Sequence, residues 1–264
     1  MFKAVSIFLA LNLTVFAESL SLQKAIAEKR VEAVISGNGR DSASVHLKNP
    51  AAAPMSIAIS AGTVFVGENG ERQVVLRDLD AKLDAGGEAD AVLPSAALSS
   101  KNTSTQRALK LSPDGEPRIA NLLPLFAKQN DLPRPTAQLA VFVAVEDMKW
   151  DAWTQWLAAA RPPGKEKQAV TPAEVAQAVD GLAFVKLSNP AKSPALLADE
   201  TLKRLALRNP WARGKAMALY GMTVENTLTG DPAQPPDLNQ LLHTTPNDNC
   251  PICRQRQKMQ PEFP

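Results

Sequence analysis

Met55-Ser56-Ile57-Ala58-Ile59-Ser60 decides the fold. Its odd positions are large and apolar, and its even positions are small or polar. That period of two suits a strand with one face in a core and the other in water. The pattern spreads outward over residues 31–94. Val45 and Leu47 repeat it, with Ser44, His46 and Lys48 opposite. Residues 31–35, 63–66, 72–76 and 89–93 are further strand candidates, rich in β-branched side chains. Turn signals separate them: Gly37-Asn38-Gly39, Asn49-Pro50, Gly67-Glu68-Asn69-Gly70 and Gly86-Gly87. Short strands at nearly even spacing predict an antiparallel β-sandwich of immunoglobulin-like architecture, without the cysteine pair and buried Trp of antibody domains.

The order Ser36-Gly37-Asn38-Gly39, Val45-His46-Leu47-Lys48-Asn49-Pro50, Ala61-Gly62-Thr63-Val64-Phe65 and Leu83-Asp84-Ala85-Gly86-Gly87 resembles a module of secreted bacterial proteins. The resemblance covers the first third of the chain. It implies an immunoglobulin-like sandwich followed by helices, and it carries no activity.

Outside this stretch the period changes to that of helices, so the expected class is α+β, a sandwich followed by a small helical bundle. Ile119, Leu122, Leu123 and Phe126 form one stripe, which Pro124 kinks or restarts. Residues 136–145 are apolar nearly all round and predict a buried helix opened by Pro135, with a core strand as the alternative. Trp150, Trp153, Trp156 and Leu157 form another stripe, read as packing against the sandwich rather than as an aromatic ligand platform. Thr171-Pro172-Ala173-Glu174 is a capping box with Pro at the first helical position. Ser193-Pro194 and Asn209-Pro210 open two more helices, the last ending at Gly221.

The N-terminus reads as an export signal. Met1-Phe2-Lys3 gives a positive start, residues 4–16 an apolar core, and Ala17 a small residue for cleavage. The expected organisation is a signal peptide at 1–17, a β-sandwich domain at 19–100, a linker at 101–116, a helical domain at 117–228 and a Pro-rich disordered tail at 229–264. The expected location is secreted or periplasmic, with no transmembrane segment after cleavage. A net charge of +2 over 264 residues dictates neither a nucleic-acid nor a membrane partner.

Familiar catalytic constellations are missing. The sequence has no phosphate loop, no G-x-G-x-x-G after a strand, no H-E-x-x-H and no G-x-S-x-G elbow. His46 and His243, the two histidines, read as surface groups. The acidic sets Glu146-Asp147 with Asp151, and Asp78 with Asp80, read as solvated carboxylates. No cofactor is expected.

Two features carry binding readings. Lys203, Arg204, Arg208, Arg213 and Lys215 form a basic set suited to an anionic polymer, a lipid headgroup or an acidic envelope protein, or else a solvated helical face. Cys250-Pro251-Ile252-Cys253 reads as a local disulfide of an oxidising compartment. Its alternatives are a redox pair, or a zinc site with His243, Cys250 and Cys253 one ligand short of closure. Arg254 stands where haem attachment needs His. The leading functional expectation is an exported, non-enzymatic binding or assembly module of the cell envelope. The alternative is an exported redox or zinc protein using Cys250 and Cys253.

Overall fold

Met55, Ile57 and Ile59 are buried while Ser56 and Ala58 are partly exposed, as the alternation requires. The computed structural model describes residues 18–38, 41–101, 107–129, 131–222 and 238. The strands run β1 (Glu18–Ser21), β2 (Glu32–Gly37), β3 (Ser42–Lys48), β4 (Met55–Ile59), β5 (Val64–Gly67), β6 (Arg72–Val75), β7 (Leu79–Leu83), β8 (Glu88–Ala97) and β9 (Arg107–Leu111). Helix α1 (Leu22–Ala27) lies between β1 and β2. After β9 come a 3-10 turn at Pro117–Ile119, then α2 (Leu123–Ala127), α3 (Arg134–Glu146), α4 (Trp150–Ala160) and α5 (Pro172–Ser188). A second 3-10 turn at Ala195–Ala198 leads into α6 (Glu200–Arg208) and α7 (Arg213–Leu219).

The strand-rich part is not an immunoglobulin-like sandwich. Six strands close into a barrel in the order β2-β3-β8-β6-β5-β9, and β1-β4-β7 form a separate three-stranded sheet. Two features of the chain cause closure. Within the stretch read as a linker, β9 pairs with β2 through Ile35 and Leu109 and with β5 through Phe65 and Leu111. Strand β8 is ten residues long and changes neighbour along its length. Its first part, through Pro94, pairs with β3, and Ser95–Ala97 pair with β6. Pro94 has no N–H to give, which suits the crossing point, and its carbonyl accepts from Leu76 N.

The helices are not a bundle standing apart from the strands. Val74 pairs with Val64 on one side and Ala96 on the other. This row and Leu76 belong to the same buried cluster as Leu139, Phe142, Val179 and Phe184. The β5-β6-β8 wall is therefore buried on both faces. Its other face joins Ile35, Val45, Leu93 and Leu109 in the barrel core, which continues into Met55, Ile57 and Ile59 of the small sheet. Burying this much apolar area, at about 25 cal/mol per Å², is the main term holding the layers together.

Polar contacts fix the same seam. Gln138 of α3 donates from Nε2 to Ala97 O (2.8 Å) and accepts at Oε1 from Ala97 N (2.9 Å). The Glu116 carboxylate receives Arg118 Nε at 2.6 Å and Arg72 Nη1 at 3.2 Å. Arg118 Nη1 also donates to Val145 O at 2.8 Å, so this knot ties β6, the first 3-10 turn and the end of α3.

Local helix signals hold for α5 but not for the last two helices: Ser193-Pro194 opens only the second 3-10 turn, α6 is capped by Asp199, and Asn209-Pro210 leads into a turn before α7, which starts at Arg213 with no side-chain cap. The capping box closes, with Thr171 Oγ1 accepting from Glu174 N (3.2 Å) and Glu174 Oε2 from Thr171 N (2.7 Å). Residues 134–146 are a helix, not a strand. Pro124 marks a restart, because the 3-10 turn precedes it and α2 begins one residue before it. In α4, Trp153 stacks on Trp156 at 5.0 Å, and Trp156 meets Phe142 of α3 edge-on at 5.6 Å. The ring contacts of this stripe are therefore with α3 and within α4, where a sandwich face was expected. Helices α3 and α5 approach closely at Gly181, where a Cβ would lie 3.0 Å from Thr136 O.

Candidate binding face on the last helix pair

Helix α6 is amphipathic. Leu202 and Ala206 are buried and Arg204, Leu205 and Arg208 are exposed. Asp199 caps its start, its carboxylate accepting from Leu202 N at 2.9 Å. Asn209 turns the chain into α7. Its side chain donates to Pro172 O (2.6 Å) and accepts from Trp211 N (2.9 Å), and its carbonyl accepts from Arg213 N (2.8 Å). This turn places Trp211 in the open, with 54 % of its surface accessible. Leu205 and Met222 are the other large exposed apolar side chains of the segment.

The five basic residues named from the sequence divide into two groups. Lys203 lies 3.5 Å from Glu200 and 5.6 Å above the Tyr220 ring. Lys215 is 2.6 Å from Asp180, with both side chains largely covered. Burial pushes the Asp180 carboxyl above its usual range, against the pull of Lys215. Both lysines therefore belong to the fold's own contacts. Arg204, Arg208 and Arg213 are exposed and make no ion pair or side-chain hydrogen bond among the described residues. Arg208 closes α6, where the helix dipole favours a cation. Arg213 opens α7, where it does not, so helix electrostatics give no reason for its position. The arginines were visible as a basic run. Trp211 carries no signal in the sequence, because a lone Trp after Asn209-Pro210 belongs to no periodic stripe.

Elsewhere the candidate groups serve the fold. His46 sits on the outer barrel face, its Nδ1 2.9 Å from Asp90 and its Nε2 3.8 Å from Glu88. Glu146 accepts from Ser100 Oγ (2.7 Å), Asp147 from Ala195 N (3.0 Å) and Asp78 from Ala61 N (2.7 Å). A hydroxyl-lined cavity of about 230 Å³ opens at the barrel end between Ser21, Ser60, Thr63 and Ser112, with Asp114 as its one charged group. A second, of about 240 Å³, lies between barrel and α3, where Arg134 pairs with Asp41 at 3.2 Å and Arg77 donates to Gln129 O. Among the described residues no group of three His, Cys, Asp or Glu is arranged to hold a metal ion. His243, Cys250 and Cys253 lie outside the described residues, as do residues 1–17 and most of the tail. No helix among the described residues is long and apolar enough to cross a membrane.

Comparison with protein-family models, with curated proteins and with solved structures finds no match to this chain.

Proposed function

We propose that the protein is an exported, non-enzymatic binding module that meets an anionic component of the cell envelope through the outer face of α6 and α7. One observation carries this reading: Arg204, Arg208 and Arg213 are exposed and unengaged in the same chain segment as the exposed Trp211, while both neighbouring lysines are tied to acids. An arginine keeps its charge at any physiological pH and offers a planar fork of donors for carboxylate, sulfate or phosphate. Side chains held out of internal ion pairs keep that capacity for a partner. The export half of the reading rests on the apolar core at residues 4–16 followed by Ala17.

Retention of the full chain on a phosphorylated or sulfated matrix tests the binding half. The wild type and a Lys203→Gln/Lys215→Gln variant should elute at similar salt. A triple Arg204→Gln/Arg208→Gln/Arg213→Gln variant should elute much earlier, because exposed charges are screened over about 10 Å at 0.1 M salt. Equal elution of the wild type and the triple variant would refute the assignment.

A further inference from the structure

Three arginines alone would suit any polyanion. What sets this surface apart is the apolar material among them. Leu205 lies between Arg204 and Arg208 in sequence, Trp211 between Arg208 and Arg213, and Met222 follows α7, all three exposed. A water-soluble polyanion gains little from a half-exposed indole. A lipid interface gains a good deal, because the amphipathic ring sits at headgroup depth with its apolar body toward the acyl chains.

We infer that this face seats on the headgroup layer of an anionic lipid bilayer, with Trp211 as interfacial anchor and Arg204, Arg208 and Arg213 on lipid phosphates. The inference rests on the proposed function and names the partner of the same face. Charge along α6 sets the orientation. Asp199 and Glu200 stand at its start, Arg204 at its middle and Arg208 at its end. The C-terminal end of α6 and the Asn209–Arg213 turn therefore point at the bilayer. The helix does not insert, since its apolar side, Leu202 and Ala206, is already spent on the core. Binding is shallow, peripheral and salt-sensitive.

The test is co-sedimentation of the full chain with vesicles of phosphatidylcholine alone, and with phosphatidylglycerol added, beside equilibrium binding to dextran sulfate. Of the two vesicle types, only the one carrying phosphatidylglycerol is expected to bind, and dextran sulfate is expected to bind through the arginines. Each Arg→Gln change should weaken vesicle binding about fivefold, the worth of one cation near such a surface. Trp211→Ala should weaken vesicle binding about tenfold and leave dextran sulfate binding unchanged. Thermal unfolding of each variant, with Trp211→Phe as the conservative replacement, shows that the fold is intact. Arginine-dependent binding to dextran sulfate but not to vesicles would overturn the lipid inference and leave the anionic-face reading standing. So would vesicle binding indifferent to Trp211→Ala. Binding to neither would overturn both.

Discussion

Gln138 and Ala97 exchange two hydrogen bonds, side chain to backbone, across the seam between α3 and the end of β8. The Gln138 amide occupies the place of a neighbouring strand and satisfies both polar groups of a buried residue. Gln138→Ala leaves the Ala97 N–H and C=O buried without partners. A loss of about 3 kcal/mol is expected, at 1 to 3 kcal/mol for each orphaned group. Urea unfolding of the full chain measures it. A loss below about 1 kcal/mol would mean that water replaces the amide at this seam.

Glu116 predicts an acid limb of stability. Its hydrogen bonds from Arg118, helped by the Arg118 and Arg72 charges and opposed by burial, hold its carboxyl below the usual value of 4.5. A lowered folded pKa gives stability that is present above 4.5 and lost as pH falls through the folded value. Glu116→Gln should therefore be less stable than the wild type near neutrality, by about 2 kcal/mol, and the gap should narrow as the solution is made acidic. Paired urea titrations at several pH values check this. A gap that stays constant would show that Glu116 acts through packing alone.

Tyr220 is the only tyrosine in the chain, so its titration is read without interference. Burial, with help from Asp199 and Glu200, pushes its phenol up to about 12. Its hydroxyl has no hydrogen-bond partner among the described residues. The native protein should show little phenolate absorbance at about pH 11, where tyrosine in urea-unfolded chain is largely ionised. A native midpoint near the ordinary value of 10 would place the ring in water. For stability the sign is the reverse of Glu116: the contribution is present below 10 and is lost as pH rises toward 12.

Period-two alternation revealed β2 to β6 and β8, because each buries one face on a core. It missed β9, which closes the barrel, and β7 and β1 of the small sheet. Leu109 and Leu111 alternate with Ala108 and Lys110, but they sit between a Ser/Thr-rich run and Pro113, where composition reads as loop. In β7, Asp80 and Lys82 face outward, and their charge hid Ala81 and Leu83. Strand β1 has four residues and a parallel partner, so no hairpin turn announces it. Closing a barrel depends on β9 finding both β2 and β5, a long-range pairing that local periodicity does not encode. The start of α5 was legible because capping is local, as Thr171 and Glu174 show, whereas the Pro194 and Pro210 signals mark a 3-10 turn and a connecting turn ahead of α6 and α7. The basic run was legible for the same reason. That Glu200 and Asp180 occupy Lys203 and Lys215, and that Trp211 stands exposed, are tertiary facts.

On the proposed function, the outer face of α6 and α7 is where this protein meets the envelope. Photo-cross-linking in the cells that make it tests this most directly, with a photoreactive amino acid at position 211 of the full chain and, separately, at position 92. Val92 is the control because it is also an exposed apolar side chain, on the outer barrel wall far along the chain from the basic face. Adducts with an envelope component are expected from position 211, reduced when Arg204, Arg208 and Arg213 are changed to Gln, and none from position 92. Adducts from position 92 with none from position 211 would contradict the proposed function.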